Sequence, residues 1–428
     1  MTDYKYIGKR IQRKDAKAKV TGKALYAEDM YFQDMLIGKV LRSAHPHARI
    51  KGIDISKAQA LPGVVCVLTA KDVQGTNRYG LAVSDQEVLV EKKARYCGDA
   101  IASVAAETEE IALEALRLID VDYEVLPAVS SIEQAFSPES PLVHERLESN
   151  VLQKTKVRKG DADKAFLEAD IILENTFTTQ CVEHAYMERE CSVAVCDCDG
   201  ALTVWEPCQY PVRSRRQIAK ALGLKFSQVR VIQSTTGGAF GSKDDITTSI
   251  HAAMLSLNTK RPVKYAMERE ESIATSSKRH PFRMECKLGA TKEGKLVALK
   301  ADIFGDTGAY SSLGIYVVKK AGLHISGPYE IPNVHVDTYT LYTNNVMSGA
   351  FRGFGVPQAH VAIEIQMDIL ARKIGMSPID LRLLNCLRAG TTTTATSHCI
   401  PHSVGIDQTL EKVKPYYDEW KAEGGLSR

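Results

Sequence analysis

Apolar and polar positions alternate in short blocks along the first 145 residues. MLIGKVLRSAH reads as a strand, with Leu36, Gly38, Val40 and Arg42 on one face. GVVCVLT, after the turn at Pro62-Gly63, reads as a compact buried strand, and residues 99–106 as another. From Glu109 to Leu118 the spacing of Ile111, Leu113, Ala115 and Leu118 predicts a helix. VDYEVLP follows as a strand ended by Pro127. FSPESPLVHE carries two prolines among polar residues and reads as a linker.

After Asn150 the pattern restarts. Ala169 to Thr179 alternates like a strand, with Ile171, Leu173 and Phe177 in register. Pro211 opens a helix over Val212 to Leu224, closed near Gly223. VRVIQ reads as a strand, Ile246 to Leu257 as a helix and PVKYAM as a strand. Two long strands are expected around Met284 to Leu288 and Leu296 to Phe304. Ala359 to Ile374 is an amphipathic helix with Ile363, Met367, Leu370 and Ile374 on one face. Ser377 caps the next helix, with Pro378 at its first position. No fixed internal period is visible, and the expected division is 1–145 and 146–428.

At roughly 150 residues per domain, 428 residues suggest two or three domains. Lys plus Arg (55) nearly balances Asp plus Glu (52), so charge gives no reason to invoke nucleic acid or an anionic membrane. No apolar run approaches the ~20 residues of a membrane span. The opening MTDYKYIGKRIQRKDAK lacks the apolar core of a secretory signal. Ten cysteines are too sparse for a disulfide scaffold, so a reducing cytoplasm is the expected compartment. Cys191, Cys196 and Cys198 lack metal-site spacing and read as packing residues, the last two on one strand face. His184 and Glu188, four apart on a strand or loop, do not read as a metal site. His45 and His47 on an expected strand, and His280, read as structural histidines.

Two glycine-rich loops carry the chemistry. STTGGAFGSKDD follows the strand VRVIQ, with Gly237, Gly238 and Gly241 around Ala239 and Phe240. Such a loop either cradles an anion with its backbone N–H groups or makes a tight turn. It matches neither a Walker loop, since Gly241-Ser242-Lys243-Asp244 breaks that motif, nor a Rossmann fingerprint. NNVMSGAFRGFGVPQ places Ala350, Phe351, Arg352 and Phe354 among Gly349, Gly353 and Gly355. Arg352 suits an anion and Phe354 a planar ring; the plainer reading is a core Phe with a rim Arg.

At these loops the chain resembles the molybdenum-binding subunits of the xanthine dehydrogenase and aldehyde oxidase family. TTGGAFGSK matches the family's GG-x-FG-x-K loop, and GAFRGFGVPQ its AFRGFG-x-PQ loop. TGKALYAEDM, LRSAHPHARI, ALPGVVCVLT and YCGDAIASVAAET resemble its hammerhead domain, and VEHAYMERE its H-x-x-x-E segment. The implied fold is α/β (α+β): a hammerhead domain over 1–145, then the first half of a molybdopterin-binding region with mixed sheets and helices over 146–428. SSKRHP, GDTGAY and SPIDLRLLN are similar to the nicotinate-acting branch, in which that region is divided between two chains.

The resemblance implies hydroxylation of an electron-poor ring carbon with water as the oxygen source. Electrons then leave through [2Fe-2S] centres to FAD, both in partner subunits. The cofactor is expected to be molybdenum with molybdopterin cytosine dinucleotide and a terminal sulfido or selenido ligand, held without protein side-chain ligands to the metal. Gly237, Gly238, Phe240 and Gly241 are expected on one side of it, and Ala350, Phe351 and Arg352 on the other, Arg352 mainly through its backbone. Gln209, Asp244, Leu313, Lys320 and Phe354 are the implied substrate contacts, with Phe354 stacking. A buried, satisfied amide is the plainer reading of Gln209, a helix N-terminal carboxylate that of Asp244, and a solvated surface charge that of Lys320. Lys320 stands where relatives carry Arg, and Leu313 where the nicotinate branch carries Tyr. The base glutamate is expected in a second molybdopterin subunit, so no catalytic residue is assigned here. A dimer of heteromers is expected, with a small aromatic heterocycle as substrate. A purine hydroxylase is the alternative activity; a non-catalytic cofactor-binding or assembly protein is the alternative class.

Overall fold

A computed structural model describes residues 4–425. Its strands are β1 (Leu36–Arg42), β2 (Ala48–Asp54), β3 (Val64–Leu68), β4 (Lys93–Ala94), β5 (Ala100–Ala106), β6 (Asp120–Val125), β7 (Val151–Lys159), β8 (Ile171–Thr179), β9 (Cys191–Cys196), β10 (Leu202–Glu206), β11 (Val229–Gln233), β12 (Val263–Ala266), β13 (Phe282–Ala290), β14 (Leu296–Asp306) and β15 (Asn333–Leu341). They form three sheets. The largest has the order β11-β10-β9-β12-β1-β5-β3, the second β7-β15-β14-β13-β8, and the smallest β4-β2-β6.

The first sheet joins the two halves of the chain. β1 pairs in parallel with β12, with Leu36 opposite Val263. The helix Ser249–Thr259 (SIHAAMLSLNT) is buried from Ser249 through Leu257, as its apolar residues on every side require. Gly38 lets β1 lie close to it: a Cβ there would sit 3.0 Å from Leu255 Cδ1. The expected linker is packed down, with Val143 and His144 buried and His144 bonded to the Ala309 carbonyl at 2.7 Å.

The second sheet packs on the helices Gly314–His324 and Val356–Ile374. The latter buries Ala359, Ile363, Met367 and Leu370, the face its spacing predicts. Gly355 and Gly375 end it in left-handed geometry, and Pro357 sits in its first turn. Ser377 caps the Pro378–Asn385 helix, accepting from the Ile379 N–H at 3.3 Å.

Four local readings are corrected. β9 ends at Cys196 and the following turn exposes Cys198, so the two do not share a buried face. His45 and His47 lie in the bend between β1 and β2, not on a strand. β3 is an edge strand that leaves Val65 exposed, so it is not buried on both sides. Asp244 is not at the N-terminus of the Ser249–Thr259 helix: it closes a short 3-10 turn, and Thr248 occupies the N-cap position of that helix without a side-chain capping bond. Among the described residues no helix is long and apolar enough to cross a membrane.

Candidate functional site

β11 carries the chain into the first glycine loop, and the Val356–Ile374 helix starts where the second ends. The two loops meet backbone to backbone. Gly241 has φ +117°, and a Cβ there would lie 2.4 Å from the Ala350 carbonyl oxygen. Only glycine permits that approach in that conformation. The Arg352 N–H donates to the Phe240 carbonyl at 2.8 Å, tying the loops together. Phe240 and Phe354 themselves hold positive φ, 52° and 55°. Such strain in side-chain-bearing residues persists only where surroundings enforce it, and it clusters at functional sites.

Each loop is braced from behind. The buried Glu188 carboxylate accepts from the Gly237 N–H at 2.6 Å and from Lys243 Nζ at 2.8 Å. Burial pulls the Lys243 ammonium below its ordinary range, and Glu188 opposes that. Gln209 Oε1 accepts from the Gly241 N–H at 3.0 Å. For the second loop, His184 bonds the Ala350 carbonyl through Nε2 at 2.8 Å and stacks on Phe351 at 4.1 Å. The Arg279 guanidinium covers the Phe351 ring at 3.8 Å and donates to the Arg352 carbonyl at 3.0 Å.

These braces revise the expected roles. The N–H groups of Gly237, Gly241 and Arg352 are already used, so those residues shape the site rather than donate into it. The Arg352 side chain is exposed. Gln209 is exposed, not a buried amide, and acts as a prop for the loop. The backbone N–H groups of Gly238, Ala239, Phe240, Ala350 and Phe351 donate to no described residue. Two facing loops with unpaired donors, brought together by a glycine whose Cβ would collide, suit oxygen atoms bearing negative charge. The donor set thus fits the oxo-type ligands and phosphate of a molybdopterin cofactor.

Of the expected substrate contacts, Lys320 and Phe354 come together beside the second loop. Leu313 is buried at the start of the Gly314–His324 helix, and helical spacing aligns it with Val317 and Lys320. Gly355 lies against this helix, since a Cβ there would be 2.3 Å from the Val317 carbonyl oxygen. Lys320 is exposed, with its ammonium 5.7 Å from the Phe354 ring centroid. Phe354 packs partly against the second core. Asp244 is buried, and its Oδ1 has no partner among the described residues. Burial pushes its carboxyl up to about 6, against the pull of Arg213.

A carboxyl raised in the folded state adds stability below its unfolded value, near 3.8, and loses it as pH rises through about 6. Asp244→Asn is therefore expected to melt above wild type at pH 8 and level with it near pH 4. Melting curves across that range check this, and a gap independent of pH would place the carboxyl in water.

Sequence reasoning missed Arg279, His184 and Glu188 as braces. Their signal was present, since SSKRHP and VEHAYMERE stand out as motifs, but only the fold shows which loop each one holds. Among the described residues no group of His, Cys, Asp or Glu is arranged to hold a metal ion, and all ten cysteines are free.

Residues 143–386 match the molybdopterin cofactor-binding domain family, and residues 21–127 the aldehyde oxidase and xanthine dehydrogenase a/b hammerhead domain. The chain is 46% identical to the nicotinate dehydrogenase large molybdopterin subunit of Eubacterium barkeri, over 96% of each chain. It is 40% identical to a probable xanthine dehydrogenase subunit of Bacillus subtilis, over 94% of this chain and 53% of that one. The aldehyde oxidoreductase structure from Desulfovibrio gigas superimposes with a TM-score of 0.92 at 32% identity, over 95% of this chain and 46% of that one. The chain therefore spans nearly all of the first relative and about half of the other two. With the loops in place and both regions matched, the chain belongs to the xanthine dehydrogenase and aldehyde oxidase family of molybdenum-dependent oxidoreductases.

Proposed function

We propose that this chain is the large molybdopterin subunit of a heteromeric hydroxylase acting on an electron-poor carbon of an N-heterocyclic aromatic of the nicotinate type. The observation that carries this reading is the pair of touching loops, which together hold five backbone N–H groups without an acceptor among the described residues, with the Phe354 ring and Lys320 ammonium close to each other at the second loop. When bound, molybdenum with molybdopterin cytosine dinucleotide, carrying a terminal sulfido or selenido ligand, supplies two-electron oxidation with water as oxygen source. The donors of Gly238, Phe240, Ala350 and Phe351 hold its oxygen atoms, and Gly237, Gly241 and Arg352 fix the loop geometry. Phe354 stacks the flat substrate, Leu313 limits its width, and Lys320 attracts its carboxylate. Asp244 faces a ring nitrogen, where a carboxyl of raised pKa donates or accepts a hydrogen bond, and the Gln209 amide completes that side. A second molybdopterin subunit brings the base glutamate; [2Fe-2S] and FAD subunits take the electrons, in a cytoplasmic dimer of heteromers.

A purine hydroxylase is the second reading, favoured by the buried Asp244 carboxyl and by the Bacillus relative. Both are tested on the complex co-expressed with its second subunit. Nicotinate, xanthine and hypoxanthine are assayed, and molybdenum and cytosine dinucleotide are measured. Turnover of nicotinate alone supports the first reading, purine turnover the second, and a complex lacking both cofactor components refutes the two together. Phe354→Ala is expected to lower turnover of flat aromatic substrates roughly 10- to 100-fold while molybdenum content stays near wild type. Metal analysis showing parallel loss of molybdenum would instead assign Phe354 to the cofactor.

A further inference from the structure

The amino-terminal arm is strongly basic. Residues 9–23 (KRIQRKDAKAKVTGK) hold seven Lys and Arg against one acid, Asp15, although the whole chain carries a net charge of only +3. The arm's helix, Ala16–Val20, is five residues long and buries none of them, so neither length nor packing holds it in place. The anchor lies further on, where Glu28 pairs with Arg189 at 2.6 Å and its carbonyl accepts from Lys264 Nζ at 2.7 Å. Ahead of that anchor a cavity of about 500 Å³ separates the arm from the end of β11. Arg13, Asp15 and Lys19 line it from the arm, and Ser234, Thr235 and Thr236 from the chain entering the first glycine loop. Its size is that of a small-molecule site.

The loop side offers donors without acceptors. The ladder between β10 and β11 ends where the Ser234 N–H donates to the Glu206 carbonyl at 3.0 Å, and the N–H groups of Thr235 and Thr236 donate to no described residue. Ser234 is 8% exposed, and its hydroxyl has no partner among the described residues. A buried hydroxyl left unpaired costs free energy, which a ligand oxygen recovers. On the arm side, Asp15 is held by Arg13 at 2.7 Å and by Lys19 at 3.1 Å. Two cations share one carboxylate, so that wall keeps a net positive charge. Consecutive backbone N–H groups, a hydroxyl, a guanidinium and an ammonium are the donor set that tetrahedral oxyanions take. We propose that this cavity binds a phosphoryl group, free or carried by a small molecule, between Arg13 and Lys19 on the arm and the segment Ser234 to Thr236. The remaining space takes the organic part of the ligand, and the basic arm draws the anion in. An occupant competes with Asp15 for the two cations and ties the arm to the chain just ahead of Gly237.

The test is titration calorimetry on the co-expressed complex, with AMP, inorganic phosphate and adenosine as probes. AMP is expected to bind saturably at roughly 1 mM, and adenosine not at all. Arg13→Gln combined with Lys19→Gln is expected to weaken AMP about 10-fold or more, and Ser234→Ala about 3-fold. Lys14→Gln combined with Lys17→Gln removes the same charge from exposed arm residues outside the cavity lining, and is expected to stay within about twofold of wild type. AMP binding tighter than phosphate identifies a phosphorylated small molecule as the ligand, and equal affinities identify free phosphate. Absence of saturable binding, equal binding of adenosine, or unchanged affinity in the Arg13 and Lys19 double variant would each overturn the proposal. Equal weakening by the two double variants would overturn it too, since the arm would then attract polyanions without a site. Complex lacking molybdenum serves equally well, so failure of the hydroxylase reading leaves the outcome readable.

Discussion

Gly241→Val is expected to strip the assembled complex of most of its molybdenum and to lower turnover by roughly 100-fold or more. The cause is geometric. At φ +117° a side chain is strained whatever the space around it, and here the new Cβ would lie 2.4 Å from the Ala350 carbonyl oxygen and 3.1 Å from Phe351 Cα. Both obstacles are backbone, so no rotamer change relieves them. The loops must part, which breaks the Arg352–Phe240 hydrogen bond and misdirects the free N–H groups on both sides. The fold itself should survive, because the loops lie outside the strands. Metal analysis of the purified complex, set beside its melting temperature, separates the two effects. Near-normal molybdenum in a well-folded variant would show that the loops need not touch.

The second large effect is expected at the Glu188–Lys243 pair. Both side chains are almost fully buried, and Glu188 also holds Gly237. Removing one partner leaves a buried charge uncompensated, which costs about 3–5 kcal/mol. Glu188→Ala is expected to lower the unfolding free energy by that amount and to loosen the loop by freeing the Gly237 N–H. Combining Glu188→Gln with Lys243→Met removes both charges and keeps an acceptor for Gly237, so its cost should be well below the sum of the single changes. Denaturant titration of wild type, Glu188→Ala, Glu188→Gln, Lys243→Met and the double variant checks this. Strict additivity would mean that the pair is not coupled.

Much of the scaffold was legible because local rules and tertiary packing agree. Pro211, Ser377–Pro378 and the spacing of Ile363, Met367 and Leu370 mark helices that the fold keeps. Both glycine loops stood out because Gly241 and Gly355 answer to backbone atoms of other segments, a demand that only glycine meets. Other features had no local signature. Nothing near Ala350 and Arg352 says that His184 will hold the first carbonyl and Arg279 the second, since those contacts join segments far apart in the chain. Gln209, expected as a pocket residue with a buried amide as the plainer alternative, is exposed and accepts from the Gly241 N–H, a contact that nothing in EPCQYP announces. Cys198 was misjudged because two-residue periodicity says nothing about where a strand stops.

The pairing of β1 with β12 bears on how the protein is made. The ribosome releases Leu36–Arg42 long before Val263–Ala266 exists, so the nascent chain must carry a half-built sheet with one raw edge. Synthesis of the intervening segment sets how long that edge stays open to wrong neighbours, and slow translation there would favour clumping over maturation. A cut at the boundary between the two matched regions would recreate that stalled state permanently, leaving two insoluble fragments in place of two modules.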